Sequence, residues 1–172
     1  MNTPPIETRA EFLAHVLALE TETIERYELF ADQMEVANNR ETAEIFHRLA
    51  EMQRQRLERA EVMAADEEIP RIAPWDFCWG PEHESVVPEA GDTHYLMMPY
   101  HALTLALDAE RRVDGFFQDM AAESPTPELG HLSEGFIAEC SERMAHLRQW
   151  RDGFPRPEDD WDEDHDPPNL LE

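Results

Sequence analysis

The stretch FHRLAEMQRQRLERA, residues 46–60, decides the fold. Phe46, Leu49 and Ala60, with Met63 just beyond, step by threes and fours along one helical face. Gln53 and Arg56 fall on that same face, in the middle of the apolar seam. An amide and a guanidinium carried into a core are costly unless other polar groups meet them there, so the rest of the chain has to supply partners. Ninety residues on, FIAECSERMAHLRQW (136–150) repeats the pattern, with Arg143 and His146 in the places of Gln53 and Arg56. Glu20 stands 33 residues before Gln53, and Glu110 stands 33 residues before Arg143. Tyr27 and Phe117, Glu44 and Glu134, and Leu57 and Leu147 keep the same offset. The chain is therefore an internal duplication around a polar centre.

Three further seams carry the remaining groups. Leu13, Leu17, Glu20, Ile24, Tyr27, Ala31 and Met34 form the first. Leu103, Ala106, Glu110, Val113, Phe117 and Met120 form the third, and Leu132, Phe136, Glu139, Arg143, His146 and Trp150 the fourth. The spacing predicts helices over 8–37, 40–65, 99–123 and 127–153, with Glu20, Gln53, Arg56, Glu110, Arg143 and His146 meeting at one level. Asn38 and Asn39 supply a tight turn. Pro99 suits a first helical turn, and Thr126 before Pro127 reads as an N-cap.

Between the second and third helices, residues 66–98 are punctuated by Pro70, Pro74, Pro81, Pro88, Gly80 and Gly91 and carry Trp75, Phe77, Trp79 and Tyr95. Such a segment reads as a crossover strap packed on the bundle. We expect it to run back along the bundle so that the third helix starts at the same end as the first. Residues 1–7 form a lead, 8–153 the bundle, and 154–172 an acidic, Pro-rich tail with Trp161, Leu170 and Leu171 as candidate anchors for a protein partner.

The formal charge of -25 comes from 39 acids against 14 bases, every one of them Arg. A surface this acidic repels nucleic acid and anionic lipid, so neither is an expected partner. Cys78 and Cys140 form no Cys-x-x-Cys pair for a metal or dithiol site. The start Met-Asn-Thr-Pro-Pro-Ile-Glu lacks the basic and apolar regions of a signal peptide, and charges interrupt every apolar run. A cytoplasmic location is the expectation.

Four helices, a long second crossover, a Glu in each odd seam and a three-residue polar pair in each even seam resemble the rubrerythrin branch of the ferritin-like superfamily, over about residues 8–153. The resemblance implies an all-α, ferritin-like antiparallel four-helix bundle with a long crossover between helices 2 and 3, and a homo-oligomer. In that family two Glu and two Glu-x-x-His pairs hold two irons. Glu20, Glu110 and His146 match ligand positions, whereas Gln53, Arg56 and Arg143 replace a Glu, a His and a Glu. Two carboxylates facing two guanidiniums are near neutral without metal, so we expect a degenerate di-iron site, a buried Glu/Arg ion-pair cluster, no cofactor, and a non-catalytic or repurposed protein. The alternative is a metal-dependent oxidoreductase handling peroxide or iron, in which Glu20, Glu110 and His146 hold one iron, manganese or zinc ion.

Overall fold

The computed structural model describes residues 5–73, 76–77 and 94–162. Among them are four helices and no strand: α1 (Arg9–Val36), α2 (Arg40–Ala64), α3 (Pro99–Ala122) and α4 (Pro127–Asp152). The helix ends fall where local chemistry puts them. Thr8 Oγ1 accepts from the Glu11 N–H, and the Glu11 carboxylate accepts in return from the Thr8 N–H at 3.1 Å, a reciprocal cap. Asn38 takes the left-handed φ of 58° after α1, and Asn39 Oδ1 accepts from the Thr42 N–H to cap α2. Thr126 caps α4, with Pro127 opening its first turn.

Asn39 also fixes where α3 begins. Its Nδ2 donates to the Met97 carbonyl at 2.6 Å and the Tyr95 carbonyl at 3.2 Å, and Thr42 Oγ1 donates to Met97 as well, at 2.7 Å. Replacing Asn39 with Ala removes the α2 cap and both crossover bonds. The expected cost is about 2 kcal/mol in chemical denaturation.

These bonds place the start of α3 beside the start of α2, so the two run parallel. Arg9 at the start of α1 reaches Glu67 just past α2 at 2.6 Å, and Arg151 at the end of α4 reaches Thr104 near the start of α3 at 3.3 Å. Each of the pairs α1/α2 and α3/α4 is thus an antiparallel hairpin. Phe12, near the start of α1, packs on Phe117, near the end of α3, at 5.9 Å. Helix 3 therefore begins at the end opposite the start of helix 1, which corrects the direction expected of the crossover. A repeat in sequence gives no orientation for its copies. The two hairpins are related by a rotation about an axis across the bundle, which brings mid-helix Glu20 and Glu110 to one level.

Two aromatic clusters bracket that level. Tyr27, Phe30 and Phe46 pack at one end, with Phe30 and Phe46 rings 5.3 Å apart. At the other end Phe12, Phe117 and Phe136 pack together, with the last two stacked at 4.7 Å. Phe46 and Phe136, and Tyr27 and Phe117, are the repeat partners read from the sequence.

Helix 4 is rotated relative to its expected seam. Its buried stripe is Leu129, Ser133, Phe136, Cys140 and Leu147, while Leu132 and Glu139 are half-buried and His146 is exposed. The expected seam ran through large apolar residues, whereas the small Ser133 and Cys140 take part in the stripe that is buried. Ser133 is tolerated inside because its hydroxyl donates to the Leu129 carbonyl at 2.8 Å.

Beyond α4, Phe154 and Trp161 pack against the core of their own chain. Trp161, expected as a partner anchor, lies with its ring centroid 3.7 Å from that of His101. Leu170, Leu171, Trp75, Trp79 and Cys78 lie outside the described residues. No helix among the described residues is long and apolar enough to cross a membrane.

Candidate functional site

At the midpoint of the bundle five side chains close a ring. Arg56, 1 % exposed, is the hub. Its Nε lies 3.0 Å from Glu20 Oε1, and one terminal nitrogen donates to Glu110 Oε1 at 2.8 Å. The other terminal nitrogen donates to Cys140 Sγ at 3.2 Å, and the guanidinium sits 5.8 Å from the Phe117 ring centroid. Arg143 continues the ring, with its Nε 3.3 Å from Glu110 Oε2 and a terminal nitrogen donating to Gln53 Oε1 at 2.7 Å. The Gln53 amide closes it by donating to Glu20 Oε2.

Each helix contributes: Glu20 from α1, Gln53 and Arg56 from α2, Glu110 from α3, and Arg143 and Cys140 from α4. The central turn of each helix supplies these groups because the seams cross there. Two carboxylates and two guanidiniums leave the ring with no formal net charge. The contacts through Arg56 Nε and Arg143 Nε are ion pairs without an aligned hydrogen bond. The terminal nitrogens carry the directional bonds.

Burial acts differently on the two acids. At Glu20, fully buried, desolvation dominates and pushes the carboxyl up to about 6, against the pull of Arg56 and Arg143. At Glu110 burial is the largest single influence, but Arg56, Arg143 and the Cys140 thiol together hold the carboxyl below its usual value. The Arg56 guanidinium is held more firmly charged than usual, since Glu20 and Glu110 outweigh its desolvation. The Cys140 thiol is pushed up to about 12, chiefly by burial, with Arg56 opposing. A sulfur in that state is a small packed group, not a nucleophile.

Of the three residues matched to ligand positions, Glu20 and Glu110 are brought together and His146 is not. His146 lies on the surface, in an open groove between α2 and α4 of about 250 Å³ lined also by Met52, Gln55, Arg59, Glu142 and Arg143. The rotation of α4 turned it outward. The six-membered polar level expected from the seams is thus five groups plus Cys140. Cys140 is not among the residues expected in this centre, and the one sign of it in the chain is that its repeat partner Ala50 is small and apolar, and is buried in α2. Glu139 stands at the rim, 4.0 Å from Arg56 Nε and 3.4 Å from Arg59.

Iron, manganese or zinc would have to fit among these groups, and the donor set does not suit a dication. The space between Glu20 and Glu110 is filled by a charged guanidinium. A dication ~4 Å from it, at an effective dielectric near 20, would be repelled by several kcal/mol. Among the described residues no three His, Cys, Asp or Glu side chains assemble as a metal-binding group.

No family model matches the chain, and no curated protein does. A solved structure does: the crystal structure of COG1633, an uncharacterized conserved protein from Magnetospirillum magnetotacticum MS-1. The two share 40% sequence identity, with a TM-score of 0.66, over 88% of this chain and 98% of that one. The chain belongs to the COG1633 family. The all-α, four-helix bundle is the frame in which the ring of α1 to α4 side chains is held.

Proposed function

We propose that this COG1633 protein is a rubrerythrin-related bundle in which a protein-supplied ion-pair ring stands where its metal-binding cousins keep two irons, and that it is non-catalytic or repurposed. The observation that carries this reading is the Arg56 guanidinium, 1 % exposed and bridging Glu20 and Glu110. In a di-iron bundle the metal ions cancel carboxylate charge that is otherwise too costly to bury. Here Arg56 and Arg143 supply the cancelling charge, and their planar forks satisfy carboxylate oxygens. The ring leaves no open coordination position and no activated nucleophile at the centre. We also propose, by the same resemblance, that the protein is a homo-oligomer, from its acidic surface that it has no nucleic-acid or membrane partner, and from the charge balance of the ring that it takes no cofactor.

Purified protein, incubated with ferrous iron and then desalted, should retain well under one iron per chain, and peroxide added to it should not be consumed faster than by buffer. Two retained irons per chain with a coupled ferric absorption would overturn the proposal.

A further inference from the structure

A second polar constellation lies at the far end of the bundle, where the crossover delivers the chain to α3. His101 Nδ1 accepts a hydrogen bond from the Met98 N–H at 2.9 Å, capping the first turn of α3. An imidazole nitrogen accepts only through a free lone pair, so His101 is neutral there, with its proton on Nε2. One face of the ring is covered by Trp161, 3.7 Å away between centroids and inclined by 31°. Trp161 in turn meets the edge of His94 at 5.7 Å, and His94 stacks on Tyr95 at 4.6 Å. His94 Nδ1 accepts from the Leu96 N–H at 3.2 Å. A side chain of the acidic tail is thereby held between two histidines that border the start of a helix.

We propose that His101 is the proton sensor of this clasp, and that protonating it releases the tail segment around Trp161 from the bundle. A proton on Nδ1 sets two N–H groups against each other at Met98 and breaks the cap, so the ring has to turn away from Met98, and that turn takes it out from beside Trp161. The proton also places a positive charge at the N-terminus of α3, the end where the helix dipole opposes it.

The charged and titratable groups around the ring come from four elements. His94 and Tyr95 lie on the crossover, Tyr100 on α3, Arg151 of α4 at 5.1 Å from the Tyr100 ring, and Asp162 on the tail. Among the described charged groups it is Asp162 that favours the proton, as the Trp161 ring does more weakly. Burial outweighs Asp162 and holds His101 below its ordinary value. Since the folded protein binds this proton less well than the unfolded chain, the clasp is intact above the unfolded value of about 6.5 and is lost as pH falls through the folded value.

Nuclear magnetic resonance of the full chain tests this, read at the Trp161 indole, whose contacts with the first turn of α3 mark the docked tail. Those contacts should be present at about pH 7.5 and lost at about pH 5, while the core contacts of α1 and α2 persist. His101→Gln, whose amide oxygen accepts the Met98 N–H at any pH, should keep Trp161 docked at both. His94→Gln should retain the pH dependence. An indole equally docked at the two pH values in the native chain, or released on acidification in the His101→Gln chain as in the native one, would overturn the proposal. Independently of any change at 101, the His101 ring resonance should titrate below free histidine and move upward in Trp161→Ala. A midpoint unmoved by that change would also overturn it.

Discussion

Replacing Arg56 with Leu destabilises the protein by about 3–5 kcal/mol, the largest loss expected from a single change at the polar centre. Leucine fills much of the volume, so the effect is electrostatic. Glu20 is fully buried and keeps only the Gln53 amide, while Glu110 keeps only Arg143 and the Cys140 thiol. Two carboxylates then face one guanidinium at the midpoint of the bundle. Urea unfolding at neutral pH measures the loss. Replacing Glu20, Arg56 and Glu110 together with apolar residues of similar volume should recover most of it, because a buried ion pair seldom outperforms a well-packed apolar one. A neutral result for Arg56→Leu alone would mean that the ring does not compensate buried charge.

Arg143→Glu is the second large effect, with an expected cost of about 3–5 kcal/mol near neutral pH, against about 2 kcal/mol for Arg143→Met. Arg143 donates to Gln53 Oε1 and lies 3.3 Å from Glu110 Oε2. A carboxylate in its place sets acceptor against acceptor and like charge against like. The introduced group therefore has its pKa raised in the folded state. Its penalty is absent below the unfolded carboxyl value, about 4.3 for Glu, and grows as pH rises through the folded value. The difference in stability between variant and native protein should consequently shrink on acidification. Thermal unfolding across that range checks the sign as well as the size.

Much of this architecture was legible in the chain itself. Seam spacing located the four helices to within a residue or two at each end, because apolar periodicity and the Asn38–Asn39 and Thr126–Pro127 punctuation are local signals. The 90-residue offset identified Glu20, Gln53, Arg56, Glu110 and Arg143 as one constellation, since an amide and a guanidinium inside apolar seams have to be partnered somewhere in the same core. The charge balance, with two acids matched by two arginines, was likewise a matter of residue identity alone.

What the tertiary structure decided was orientation and the last few side chains. Periodicity states which face of α4 is apolar to within one residue, about 100° of rotation. That margin separates His146 inside from Cys140 inside. Only the packing of α4 against its neighbours chose Cys140, setting it against Arg56 and leaving His146 in the surface groove. The direction of the crossover was likewise invisible, because a duplication is the same string whether its copies are related by translation or rotation. The bonds from Asn39 to Met97 and Tyr95 settled it, as the stacking of Trp161 on His101 settled where the tail lies. Local chemistry writes elements and their polar exceptions into the sequence, while the choice among rotations and directions belongs to contacts between residues far apart along it.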